Sequence, residues 1–292
     1  MTSTQHVRVE GTSYQRGRQY GRQAADRVRL SVQAYQQTFA HFAGWDWPAV
    51  RREALRFEAP IGEFRPEYLD ELRGIADGAG LDLADVLAIN VRTEVMYSAK
   101  ARQAPRTRTR LPAECSAFAV VPGPGQKAPA IIGQNWDWLL HSAQTLVVLE
   151  VRQDDGPDFV TVVEAGLLAK TGMNAAALVL VTNALVTDAD TGEPGLPYHV
   201  LLRAVLDCAT VTDALEVLQA GSRASSRRPT WPCGPCPARP SGCSASWPPE
   251  RPGRWTTSGP CWPITPTIRT ASAPTPTRPP IRASKPPRSP RC

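Results

Sequence analysis

Glu114-Cys115-Ser116-Ala117-Phe118-Ala119-Val120-Val121 is the stretch at which this chain changes texture. From there on the residues come in short apolar and β-branched runs, at 117–121, 130–133, 145–152, 159–164 and 177–182, which read as strands. Pro122-Gly123-Pro124-Gly125 is a turn, and Asp155-Gly156-Pro157-Asp158 is a hairpin signal between two of the runs. Helices are expected again at about 197–208 and 211–220, with Thr210 or Thr212 as cap.

Before that stretch, residues 11–100 read as helical. Gly11-Thr12-Ser13 supplies N-cap chemistry for a proline-free run over 14–42. Gly17 and Gly21 lie four apart, on one face, where a second backbone can approach closely. A further helix is expected from Pro66 through Leu69, Leu72, Ile75 and Ala79, stopped by Gly78 and Gly80. Asp82 then caps another through Val86, Leu87 and Ile89. Residues 100–112, with Lys100, Arg102, Arg106, Arg108 and Arg110, read as a solvated basic loop directly before Cys115. Helices, then strands, then helices fit an α+β protein with helix-covered sheets better than alternating βαβ units.

The net charge of +6 hides two unlike parts. Residues 221–292 hold 12 of the 33 Lys and Arg but a single acid, Glu250, so residues 1–220 carry 21 basic and 26 acidic side chains, a net of −5. A pI argument for nucleic-acid binding would therefore concern the tail alone, and none is expected. The start of the chain is polar, no apolar run is long enough to span a bilayer, and the cytoplasm is the expected compartment. The tail has 18 of the 29 prolines and lacks Leu, Val, Asp, Asn, Gln, Phe, Tyr, His and Met. Pro, Arg, Ala, Ser, Thr, Gly, Trp and Cys are what GC-rich codons yield out of frame, so a frameshift near 221–228 is expected, and a segment that does not pack. Cys233, Cys236, Cys243 and Cys261 invite a zinc reading, but no His or Asp accompanies them and no metal is expected.

Of the seven cysteines only Cys115 and Cys208 precede the tail. Cys208, on an apolar helical stretch, reads as a small buried hydrophobe. Cys115 stands between a basic loop and a strand. A nucleophilic thiol needs a base, and none of His6, His41, His141 and His199 lies in a Cys-His protease signature, though that reading stays open. Cleavage of the Glu114–Cys115 bond would offer another base, because the freed α-amino group, with a reference pKa of about 7.7–8, would sit beside its own thiol.

Gly133-Gln134-Asn135-Trp136-Asp137-Trp138 is similar to the Gly-[Arg/Gln]-Asn-x-Asp signature of the penicillin acyltransferase family, the acyl-CoA:6-aminopenicillanic acid acyltransferases, among the N-terminal-nucleophile hydrolases. Val163-Glu164-Ala165-Gly166, Thr171-Gly172-Met173-Asn174 and Thr182-Asn183-Ala184-Leu185 resemble the same family in order and spacing. So do Gly11, Tyr14, Gly17 and Gly21, and the run Gly74-Ile75-Ala76-Asp77-Gly78-Ala79-Gly80. The resemblance implies an αββα sandwich, here incomplete. It implies a helical propeptide or α-chain region at 1–114 and a nucleophile-bearing region at 115–220, followed by the tail. It also implies an autoprocessing amidohydrolase or acyltransferase acting on linear amides, without a cofactor and with acyl-CoA as a possible co-substrate. Cys115 matches the nucleophile and Glu114–Cys115 the self-cleaved bond. Asp137 matches the aspartate that orients the new ammonium, and Asn183 is a candidate amide donor near the acyl site. The partners implied are a small amide or acyl-CoA and the chain's own propeptide, with no membrane. Glu114 stands where family members often have Gly, and the family's later segment with an oxyanion-stabilising Asn has no counterpart in the tail. A truncated, non-catalytic product is the competing reading.

Overall fold

The computed structural model describes residues 4–101, 115–123, 125–183 and 195–225. It is an α+β fold. Strands β1 (Gln5–Val9), β4 (Leu146–Val151), β5 (Phe159–Glu164), β6 (Thr171–Asn174) and β7 (Val179–Leu180) form one mixed sheet in that order, and β2 (Ser116–Val120) with β3 (Ile131–Asn135) forms a separate hairpin. β1 runs parallel to β4, and the other neighbours are antiparallel.

Alternation sets the sheet's two faces. Val7, Val9, Val147, Leu149, Val151, Phe159, Thr161 and Val163 are buried on one side, and register pairs them across the strands, Val7 with Leu149 and Val147 with Val163. The apolar ones share one core with Tyr20, Val28, Tyr35, Phe39, Leu72, Ile75 and Leu87 of the helices. On the opposite side Val162, Met173 and Val179 remain substantially exposed.

The N-terminal helices are α1 (Ser13–Gln23), α2 (Ala25–Ala43), α3 (Trp47–Leu55), α4 (Glu58–Phe64), α5 (Pro66–Ala79), α6 (Leu83–Asn90) and α7 (Arg92–Ala101). Thr12 and Gln15 form a capping box on α1, and Asp82 with Asp85 forms one on α6. Pro66 opens α5, and Gly80 ends it in the left-handed conformation. The run expected as one helix over 14–42 is two, because Ala24 leaves helical geometry between α1 and α2. α1 crosses α5 at backbone contact. A Cβ added at Gly17 or Gly21 would overlap the Glu71 or Ile75 carbonyl oxygen, and one at Gly74 or Gly78 the Tyr14 or Arg18 carbonyl oxygen.

A four-residue helix α8 (Ser142–Thr145) precedes β4. After β7 the chain forms α9 (Tyr198–Leu206) and α10 (Val211–Ser225), so helix continues past the expected boundary at 220. β1, at the edge of a region that reads as helical, is a strand the sequence pattern does not announce. Cys233, Cys236, Cys243, Cys261 and the rest of 226–292 lie outside the described residues, as do 102–114. No described helix is long and apolar enough to cross a membrane.

Candidate functional site

Cys115 sits at the entry to β2, half-buried, and its thiol donates a hydrogen bond to the main-chain carbonyl of Asp137 at 3.8 Å. Hairpin register brings them together. Ser116 pairs with Asn135, and the Asn135 Nδ2 donates to Ser116 Oγ at 3.2 Å, which leaves Cys115 beside the chain just past β3. Asp137 is exposed, so its carbonyl rather than its carboxylate meets the thiol.

Gln134 ties this hairpin to the main sheet. Its Oε1 accepts from the Thr171 hydroxyl at 2.6 Å and from the Thr182 main-chain N–H at 3.2 Å, while its Nε2 donates to the Thr182 carbonyl. Thr182 is followed by Asn183, exposed at the end of the described segment. Cys115, Asp137 and the chain leading to Asn183 are thus gathered at one end of β3. Glu114 lies outside the described residues.

Beneath the hairpin is a buried charge centre built on Glu164, to which the sequence assigns no role. Glu164 Oε2 accepts from Arg92 Nη2 at 2.6 Å. Its Oε1 accepts from the Tyr35 hydroxyl at 2.8 Å and the Ser142 hydroxyl at 3.0 Å. Trp138 Nε1 donates to the Tyr35 oxygen at 2.8 Å, and the Arg92 guanidinium lies over the Tyr35 and Trp138 rings. Burial raises the Tyr35 hydroxyl well above the ordinary phenol range, so it is a donor here. Removing one member of a buried ion pair costs roughly 3–5 kcal/mol, because its partner is left charged and unpaired.

Lys170 sits between this centre and the hairpin. Only 6% exposed, it makes no hydrogen bond or ion pair through its ammonium among the described residues. Instead Nζ lies 3.6 Å from the centroid of the Trp136 ring and 5.5 Å from that of Trp138. Burial, reinforced by the Arg92 charge, lowers Lys170 to about 7, while Glu164, and Cys115 whenever it is ionised, favour its charged form.

At the start of α9, the Tyr198 main-chain N–H donates to Glu94 Oε1 at 2.6 Å, and its phenol lies against the Thr182 hydroxyl. Burial raises the Tyr198 phenol, and the Cys115 charge adds to that. His199 turns away, Nδ1 on the Ala169 carbonyl at 3.0 Å, and burial lowers it well below the ordinary imidazole range. His141 borders Glu164 at 3.9 Å, His6 meets Glu150 at 3.2 Å, and His41 packs edge-on against Phe42. The Cys115 thiol bonds a carbonyl rather than any of these imidazoles.

Arg92 Nε, Glu94 Oε2, Trp136 Nε1 and His141 Nε2 are buried without a hydrogen-bond partner among the described residues. Unsatisfied buried groups are uncommon in folded proteins, and half of those among the described residues gather here, with others at Arg16, Ser31 and Arg203 in the helices. Sequence reasoning missed Arg92, Tyr35, Glu94, Lys170 and Tyr198. One signal was available for Lys170: of 33 cationic residues only Lys100, Lys127, Lys170 and Lys285 are lysine, and Lys170 follows the apolar run Leu167-Leu168-Ala169.

Fold and site together define an α+β protein with a cysteine-bearing hairpin over a buried charge cluster. Residues 124–230 match the family model described as acyl-coenzyme A:6-aminopenicillanic acid acyl-transferase. The match includes Gln134, Asp137, Glu164, Lys170 and Asn183 and begins after Cys115. Over 224 residues the chain is 28% identical to the acyl-coenzyme A:6-aminopenicillanic-acid-acyltransferase 40 kDa form of Emericella nidulans, covering 75% of this chain and 58% of that protein's length. The resemblance read from the sequence is borne out as a similarity: residues 124–230 match the penicillin acyltransferase family model, and the chain spans a little over half the length of the curated relative it matches.

Proposed function

We propose that Cys115 is the nucleophile of an N-terminal-nucleophile amidohydrolase or acyltransferase, exposed by self-cleavage of the Glu114–Cys115 bond. The observation that carries this reading is the hydrogen bond from the half-buried Cys115 thiol to the Asp137 carbonyl, which joins the candidate nucleophile to the Gly133-Gln134-Asn135-Trp136-Asp137 motif. In the mature form the Cys115 α-amino group takes the thiol proton, and the sulfur attacks an amide or thioester carbonyl. The resulting acyl group passes to water or an amine. Asp137, adjacent to the new terminus, orients and balances its ammonium, and Asn183 donates its amide to the developing oxyanion. An acyl-CoA and a small amide or amine are the substrate classes, and the cleaved propeptide stays as partner.

The fold proposed for the complete protein is an αββα sandwich, in which β2–β3 is the start of the second sheet. The exposed Phe118, Val120, Ile131 and Ile132 of that hairpin support a sheet awaiting further strands. Tail composition supports a lost reading frame, and the family match stops at residue 230, just past where the composition changes. The chain as written is therefore processed slowly or not at all. The test is mutational, on a chain whose frame is restored after codon 220. Cys115→Ala abolishes both cleavage and amide turnover, and Asp137→Asn impairs both. Turnover that survives Cys115→Ala contradicts the assignment.

A further inference from the structure

The α-amino group cannot act as base in the step that creates it, so the uncut chain needs another acceptor for the Cys115 proton. Lys170 and Cys115 border consecutive residues of one segment, Trp136 and Asp137. The Lys170 Nζ rests on the Trp136 ring at 3.6 Å, and the Cys115 thiol bonds the carbonyl of the next residue, Asp137. We propose that Lys170 is the proton acceptor for the Cys115 thiol in the uncut chain.

Three observations support this role. First, Lys170 is more than nine-tenths buried, yet its amine has no carboxylate or other acceptor among the described residues. The other buried cations differ. Arg92 is paired with Glu164, and Arg203 with Glu71 and Asp207. Second, those structural cations are arginine, which stays charged. Lys170 is one of the chain's few lysines, and lysine is the cation that gives up its proton when buried. Third, the groups that act on it set a neutral working range. Burial and Arg92 favour the free amine, Glu164 and the Cys115 thiolate favour the ammonium, and His199, itself held neutral, adds no charge. The amine is consequently available near neutral pH and becomes an ammonium once a thiolate stands beside it.

The step rests on the self-cleavage reading above. The Lys170 nitrogen takes the S–H proton, and the thiolate sulfur attacks the Glu114 carbonyl carbon. The C–N bond to Cys115 breaks, its nitrogen takes the proton back from Lys170, and a thioester joins Glu114 to the sulfur. Water then hydrolyses the thioester to the Glu114 carboxyl and the free thiol, and Lys170 ends neutral as it began.

The test reads the pair without requiring cleavage. Iodoacetamide labelling of the full chain at about pH 7.5 is followed at Cys115 by peptide mass spectrometry, with glutathione as internal reference. Lys170→Met and Lys170→Gln slow Cys115 labelling about tenfold, with unchanged circular dichroism, because the thiolate is what reacts. In the reciprocal arm, Cys115→Ala raises acetic anhydride labelling of Lys170 at the same pH by a few fold, since a charge that favours the ammonium is gone. Labelling of Cys115 that is unchanged in both Lys170 variants overturns the proposal. If the lysine dependence holds while a frame-restored chain never cleaves, the proton acceptor stands and the self-cleavage reading fails. If Lys170→Met leaves both the labelling and the cleavage of that chain unchanged, self-cleavage stands and the proton acceptor fails.

Discussion

Helices α1 and α5 meet with no side chain between their backbones at Gly17, Gly21, Gly74 and Gly78, whereas the hairpin β2–β3 leaves Phe118, Val120 and Ile131 more than half exposed and Ile132 partly so. The first region consumes its apolar surface internally and tolerates no added atom. The second presents apolar residues that nothing among the described residues covers, and it is held to the main sheet by polar contacts through Gln134. Among the described residues, a helical layer over one face of the main sheet therefore coexists with a hairpin that has the sequence of a buried strand pair and the exposure of a surface one. That contrast is what a core finished on one side and interrupted on the other would leave.

The largest expected effect lies in the glycine crossing. Gly17→Val or Gly74→Val forces α1 and α5 apart and costs about 4 kcal/mol or more, read by urea denaturation of the full chain. A cost under about 1 kcal/mol would break the claim that backbones touch there. Next comes the buried charge centre, where Glu164→Gln leaves Arg92 unpaired and costs roughly 3–5 kcal/mol by the same measurement.

A smaller effect, of opposite sign, belongs to Lys170. Its folded-state value of about 7 is below the ordinary 10.5, so between those values the unfolded chain binds more protons than the folded one. Wild-type stability contributed by this group therefore rises with pH across that window, and the burial penalty is complete below about pH 7. Lys170→Met should stabilise the protein by roughly 2–4 kcal/mol at about pH 6, with the advantage shrinking as pH rises toward the ordinary lysine value. Denaturation midpoints at several pH values check it, and a pH-independent advantage would contradict it. The smallest effect is at the hairpin, where Phe118→Ser changes stability by less than about 0.5 kcal/mol but lowers self-association in light scattering.

Local signals were legible in the sequence. Pro66, Gly80 and Asp82 mark helix ends because caps and left-handed residues are set by their immediate neighbours. The turn at Asp155-Gly156-Pro157-Asp158 joins β4 to β5 for the same reason, and the spacing of Gly17 and Gly21 announced a close helix crossing. Distant pairing was not legible. β1 buries only Val7 and Val9 and owes its existence to β4, far along the chain, where Gln5 pairs with Val147. β6, Thr171-Gly172-Met173-Asn174, has weak strand propensity and is a strand because β5 pairs with it. At the site, Cys115 and the motif ending in Asp137 were readable, but their link through the Asp137 carbonyl was not. Arg92 with Glu164 and Lys170 on Trp136 depend on burial, which a linear pattern does not report.

Self-cleavage before Cys115 is tested most directly by intact-mass analysis of the frame-restored chain. Two fragments that divide between Glu114 and Cys115 are expected, the second beginning with an unblocked cysteine, and a single uncut species in Cys115→Ala. A chain that stays whole and still turns over amides would contradict it.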